Sequence, residues 1–208
     1  MSVIDTVAID TVVFDLGNVL IPWDIRWLLR KIFDNETAVE SFISDADIMT
    51  WHAQQDAGYP VAQAILEHSA KHPQHAHAIR AVYERWSETM KPAFAESVAL
   101  LYELKEKGFR LYALSNFSAE LFYQSRERYD FWDAFEGIVL SGEEGVNKPD
   151  PKIYNTLFER YAVKPESSAF LDDSLANVVS SRELGMRAVH FTNAAAARVE
   201  LRKMGLAV

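Results

Sequence analysis

A chain of 208 residues, 49% of them hydrophobic and 25% charged, has ordinary globular composition and enough apolar material for one core with an inserted or appended second unit. Its 21 Lys+Arg against 30 Asp+Glu leave a formal charge of -9, so no broad basic surface is available to displace counterions from a nucleic-acid backbone, and nucleic acid is not an expected partner. The absence of cysteine removes disulfides, thiolate metal sites and thiol nucleophiles together.

In chain order, the N-terminal stretch MSVIDTVAIDTVVFDLG carries Asp5 and Asp10 within its apolar run and has no basic leader, so it does not read as a signal peptide. No apolar run reaches the length of a membrane span, and the expected location is the cytoplasm with no membrane partner. A first strand is expected at Thr11–Phe14. From about Ile25 to Met90 only helical patterns appear, at Glu36–Ile43, Val61–His68 and Ala76–Trp86. Four further strand candidates, Arg110–Leu114, Gly137–Leu140, Ala169–Leu171 and Ala188–Phe191, then alternate with helical stretches. Asp150 before Pro151 reads as a helix start, Gly108 and Gly185 as helix ends, and Ala194–Ala197 as the start of a final helix. This alternation predicts an α/β fold with a parallel sheet. The expected division is 1–21 with 92–208 as the sheet-bearing core and 22–91 as an inserted helical cap.

Ligands of open parallel sheets bind at the carboxyl ends of the strands, so the polar residues ending each strand should converge. They are Asp15, Gly17 and Asn18 after the first strand, Ser115 and Asn116 after the second, Asn147 and Lys148 after the third, and Asp172 and Asp173 after the fourth. Each taken singly is an ordinary loop or capping residue. Gathered at one edge, three carboxylates with one lysine form a costly cluster unless a cation or an anionic ligand balances it.

In order and spacing, VVFDLGNVL, LYALSNFS, VNKPDPKIY and FLDDSLANV resemble the four motifs of the haloacid dehalogenase superfamily, and the resemblance covers most of the chain. It is nearest to the subfamily with a helical cap between the first two motifs and a double Asp in the fourth, which includes glucose-1-phosphate phosphatases and the N-terminal phosphatase domain of soluble epoxide hydrolase. The fold it implies is a Rossmann-like parallel sheet with helices on both faces and an inserted α-helical cap. The implied chemistry is hydrolysis of a small phosphorylated metabolite, a sugar phosphate among the candidates, through an aspartyl-phosphate on Asp15. By the same resemblance, Mg2+ would be held by Asp15, the carbonyl of Gly17 and Asp173. Ser115, the backbone N–H of Asn116 and Lys148 would bind the phosphoryl oxygens, with Asp172 and Asn177 orienting the lysine or a metal-bound water.

One position departs from the pattern. Phosphatases of this superfamily usually carry a second Asp two residues after the nucleophile to protonate the leaving oxygen, and here that position is Gly17. Haloacid dehalogenases, which work without metal, also lack that Asp. The pair Asp172–Asp173 favours the magnesium-dependent reading over a dehalogenase, since a metal-free site has little use for it. A retained Asp15 and Lys148 argue against a phosphometabolite-binding protein without activity. Neither Lys31 nor Lys71 stands in a context suggesting a Schiff base. In the insertion, Trp23, Asp24, Arg26 and Arg30 follow the first motif, and Trp51, His52 and Asp56 are expected near a turn, the tryptophans as packing residues. His68, His72, His75 and His77 are expected on a solvated face rather than around a metal.

Overall fold

The computed structural model describes residues 7–208. The part of the leader argument that rests on residues 1–6, Asp5 included, lies outside them. Five parallel strands form one sheet: β1 (Thr11–Phe14), β2 (Arg110–Ser115), β3 (Gly137–Leu140), β4 (Ser168–Asp172) and β5 (Arg187–His190), in the order β3-β2-β1-β4-β5. Residues alternate across the sheet with the period of two that a strand imposes. Val12, Phe14, Ala113 and Leu171 join the larger core on one face, while Val13, Tyr112, Leu114 and Phe170 join the smaller core on the other.

Eleven α-helices lie among the described residues. Five fall between β1 and Met90: α1 (Arg26–Leu29), α2 (Glu36–Asp45), α3 (Ile48–Asp56), α4 (Val61–Lys71) and α5 (Ala76–Glu84). The remaining six are α6 (Ala95–Glu106), α7 (Ala119–Ser125), α8 (Ser141–Glu144), α9 (Pro151–Tyr161), α10 (Leu175–Glu183) and α11 (Ala194–Lys203). Leu100 and Leu104 of α6 and Leu201 of α11 cover one face of the sheet; Ile153 and Leu157 of α9 and Val178 of α10 cover the other. The result is the Rossmann-like α/β architecture with helices on both faces. Asp150 caps α9 by accepting from the Lys152 N–H at 2.9 Å, and Pro151 follows it where no intrahelical donor is needed. No helix among the described residues is long and apolar enough to cross a membrane.

Several boundaries differ from the expectations. β2 runs on through Ser115 and β4 through Asp172, so both residues end a strand rather than follow one, and β5 starts and ends one residue earlier than expected. α5 stops at Glu84, and Trp86–Thr89 is a separate 3-10 turn. Helix α3 has no counterpart among the expected elements. Its buried face is Ile48, Trp51, His52 and Gln55, a helical spacing half made of polar residues, so the apolar period is hidden. Trp51, His52 and Asp56 therefore sit on a helix, with Asp56 its last residue just before the turn at Ala57–Gly58.

The chain leaves and re-enters the sheet region through paired segments. Trp23 and Met90 form an antiparallel bridge, Lys91 N–H donates to the Pro22 carbonyl at 3.2 Å, and Phe94 N–H to the Leu20 carbonyl at 2.9 Å. The end of α3 docks on loops beyond β2 and β3: Ser118 N–H donates to Asp56 Oδ1 at 3.1 Å, and Asn147 Nδ2 to the Ala53 carbonyl at 2.7 Å. Beside them Gly58 approaches α8 so closely that a Cβ there would stand 2.9 Å from the Gly142 carbonyl oxygen.

Candidate active site

Strand register assembles the cluster. Phe14 is in register with Ala113 of β2 and Leu171 of β4, so Asp15, Ser115 and Asp172 emerge side by side at the carboxyl edge of the sheet, where the strand order reverses about β1. Ser115 Oγ donates to Asp15 Oδ1 at 2.8 Å, and the Leu16 N–H donates to the same oxygen at 2.7 Å. Lys148 reaches the cluster from the loop after β3. Its Nζ donates to the Leu114 carbonyl at 2.7 Å and to Asp172 Oδ2 at 2.7 Å, and lies 3.1 Å from Asp15 Oδ2. The Lys148 backbone is gripped at both ends by the Asn116 amide, which accepts from its N–H at 2.7 Å and donates to its carbonyl at 2.9 Å.

Asp172 is fully committed. Besides Lys148 it accepts from Asn177 Nδ2 at 3.0 and 3.1 Å and from the Ser174 N–H at 2.8 Å. Its side chain and that of Lys148 are inaccessible to solvent. Burial pulls the Lys148 ammonium towards a lower pKa, but Asp15 and Asp172 outweigh it and hold the group above its ordinary value. Asp15 is pushed up to about 7, chiefly by burial and further by Asp172 and Asp173, with Lys148 and the Ser115 hydroxyl opposing. Asp173 is raised for the same two reasons, burial first and repulsion by Asp172 second.

The oxygens of Asp15, Asp172 and Asp173 come within 4.8 Å of one another, the one group of three metal-type side chains so placed among the described residues. With Asp172 bound to Lys148, Asn177 and Ser174, the carboxylates left for a cation are Asp15 and Asp173. Gly17 lies at the mouth of the site with an ordinary negative φ, and a Cβ added there meets nothing within 4 Å. The left-handed residue of this loop is the next one, Asn18, at φ 53.

A cavity of about 200 Å³ opens above Gly17, Ser115 and Asn116. Of the insertion residues singled out above, Trp23, His52 and Asp56 line it, and Met49, Met90 and Phe117 are lining residues that the motifs did not single out. Phe117 directly follows the Ser115–Asn116 pair, a signal that was available; the two methionines stand in no recognisable pattern. Trp23 stacks on His52 at 5.4 Å between ring centres. Tyr83 donates to Gln55 Oε1 at 2.6 Å, so its oxygen accepts from His52 Nδ1 at 3.1 Å, which leaves Nε2 facing Asp56 at 3.6 Å.

Other residues fall outside the site. Arg26 pairs with Glu40 and Arg30 with Glu36 on the surface, and Lys31 pairs with Glu88. His68 is not on a solvated face: it is buried, stacked 4.5 Å from Trp51 with planes 7° apart, and donates from Nε2 to the Ala46 carbonyl at 2.6 Å. Its place is helical packing, since α4 turns this position towards α3. His77 is exposed, and His72 and His75 are partly so.

Residues 9–185 match the haloacid dehalogenase-like hydrolase family. The chain belongs to this family of hydrolases. It is 28% identical to a sesquiterpene phosphatase of Aspergillus oryzae over 92% of this chain and 94% of that one. It is 25% identical to a glyceraldehyde 3-phosphate phosphatase of Methanopyrus kandleri over 80% and 76%. The fold is shared with a HAD-like family hydrolase of Porphyromonas gingivalis at a TM-score of 0.71, with 21% identity over 94% of this chain and 98% of that one.

Proposed function

We propose that this hydrolase is a magnesium-dependent phosphatase that cleaves a small phosphate monoester through an aspartyl-phosphate on Asp15, with residues 22–91 acting as a cap over a core formed by 1–21 and 92–208. The observation that carries this reading is the charge imbalance at the sheet edge, three carboxylates around the single ammonium of Lys148. Burial chiefly, and neighbouring carboxylates secondarily, raise Asp15 and Asp173, and a hard divalent cation on these oxygen donors would offset both. Asp15, the Gly17 carbonyl and Asp173 are the groups that would hold Mg2+. When bound, the ion draws charge from the phosphoryl oxygens and orients the ester.

The chain's own groups then divide the work. One Asp15 oxygen attacks phosphorus, the phosphorus–oxygen bond to the alcohol breaks, and water later cleaves the acyl phosphate to regenerate the carboxylate. Ser115 and the Asn116 N–H receive phosphoryl oxygens, and Lys148, held in place by Asp172 and Asn177, offsets charge developing on them and on Asp15. No side chain at Gly17 protonates the departing alcohol, so the leaving oxygen carries its charge with less help than in phosphatases that have the second Asp.

The phosphatase relatives support a phosphoryl substrate. The test is a panel of phosphate monoesters and 2-haloacids, assayed with Mg2+ and with chelator. Phosphate release that stops on chelation, and that Asp173→Ala reduces while His72→Ala and His75→Ala leave it unchanged, is the expected result. Chloride release from a 2-haloacid in the presence of chelator would replace the proposal with a dehalogenase.

A further inference from the structure

The cavity above Gly17, Ser115 and Asn116 is asymmetric. Its floor is polar and belongs to the sheet edge, but apart from His52, Ala53 and Asp56 the rest of the wall is Ile21, Trp23, Met49, Trp86, Met90 and Phe117. These come from four separate stretches of chain, and Trp86 and Phe117 meet with ring centres 6.2 Å apart. A wall of indoles, a phenyl ring and thioethers gains from covering hydrocarbon and offers hydroxyl groups little.

Several polar atoms facing this space are already engaged, whereas His52 Nε2 and Asp56 Oδ2 face each other at 3.6 Å, beyond hydrogen-bond distance. His52 Nδ1 is bound to Tyr83, Asp56 Oδ1 accepts from the Ser118 N–H, and both ends of the Asn116 amide hold the Lys148 backbone. Of the wall's other polar atoms, the indole N–H groups of Trp23 and Trp86 have no partner, and each is sealed from solvent within its packing. A sugar would have to exchange several hydrogen bonds with water for the few that the His52–Asp56 pair could supply, at a cost of roughly 1–3 kcal/mol for each buried hydroxyl left unpaired.

We infer that the alcohol portion of the substrate is a hydrocarbon group seated against Trp23, Trp86, Met90 and Phe117, so that the enzyme prefers monophosphates of apolar alcohols to those of sugars or glycerol. This inference rests on the phosphatase reading for the position of the phosphoryl group and goes beyond it in naming what is attached. Met49, 44% exposed at the rim, is the wall residue whose replacement disturbs packing least.

The experiment compares esters whose leaving alcohols have similar acidity, which separates pocket preference from the leaving-group effect at Gly17. Propyl, hexyl and octyl phosphates and glycerol 3-phosphate are assayed with Mg2+, with p-nitrophenyl phosphate as a check that turnover occurs. A fully buried methylene is worth about 0.8 kcal/mol, or about fourfold. The expected result is a kcat/KM at least tenfold higher for octyl than for propyl phosphate, with glycerol 3-phosphate no better than propyl. Met49→Lys should narrow the octyl-to-propyl ratio severalfold.

A ratio within twofold, or a preference for glycerol 3-phosphate over octyl phosphate, overturns the inference and leaves the phosphatase standing. If no ester at all is cleaved, the phosphatase reading fails, and indole fluorescence then judges the wall by itself. Octyl phosphate binding at least tenfold tighter than propyl phosphate upholds the apolar site, and equal affinities reject it.

Discussion

The floor of the pocket crowds Asp15, Asp172 and Asp173 around Lys148, whereas the opposing wall from Trp23 to Phe117 is built of rings and thioethers. The floor comes from strand ends and the loops that follow them, so the register of a parallel sheet fixes its geometry within a fraction of a side chain. The wall comes from residues 21–90 and from the residue after Asn116, and its position depends on how α3 docks through Asp56 and Ala53 onto the loops after β2 and β3. On the proposed reading, chemistry falls to the sheet-edge half and selection to the half that packs by shape, a division that lets one be altered without rebuilding the other.

The most severe way to break the floor is Asp15→Asn. The amide keeps the hydrogen-bonding shape and removes the nucleophile, so phosphate release should fall by about a thousandfold or more, the scale seen when a nucleophile is deleted. Circular dichroism and octyl phosphate binding should be retained, because the wall is untouched. Next is Lys148→Met, which leaves Asp15 and Asp172 facing each other without their shared cation. Activity should drop roughly 10²–10³-fold. Stability should fall by about 3–5 kcal/mol, as for a broken buried ion pair, read from urea unfolding.

A gain is expected from Gly17→Asp. Its ordinary φ and the open space around a built Cβ mean that the backbone accepts a side chain without strain. If the missing carboxyl limits the rate, the variant should speed alkyl phosphates by up to about 10²-fold, the lower range for an added general acid, and speed p-nitrophenyl phosphate far less. An equal effect on both esters would show that another group already protonates the leaving oxygen.

The smallest effect sharpens the comparison through pH. Asp15 is raised from 3.8 to about 7, so the metal-free native state binds this proton more tightly than the unfolded chain does. The resulting stabilisation is complete below about pH 4 and is lost as pH rises through about 7. A cation at the site counters that loss. Thermal unfolding should therefore show a larger Mg2+-induced rise in Tm at pH 8 than at pH 5, and Asp15→Asn should reduce the difference, with Asp173 supplying the remainder.

Much of this was legible in the chain before it folded. The residue types that end each strand, the proline and glycine punctuation around the helices, and the strandless stretch between the first two motifs are local signals, because strand and helix periods and turn chemistry involve neighbours a few residues apart. Asp15, Ser115, Lys148 and Asp172 could be expected at one edge from those signals and the general geometry of parallel sheets. What tertiary structure alone decided was pairing and burial. Lys148 holds Asp172 more closely than it approaches Asp15, helix α3 hides its apolar period behind His52 and Gln55, and His68 leaves the solvent to stack on Trp51. Met49, Met90 and Phe117 become one wall for the same reason. A side chain's partner and its distance from water are set by segments that are remote in sequence, and no local pattern records which of them will arrive.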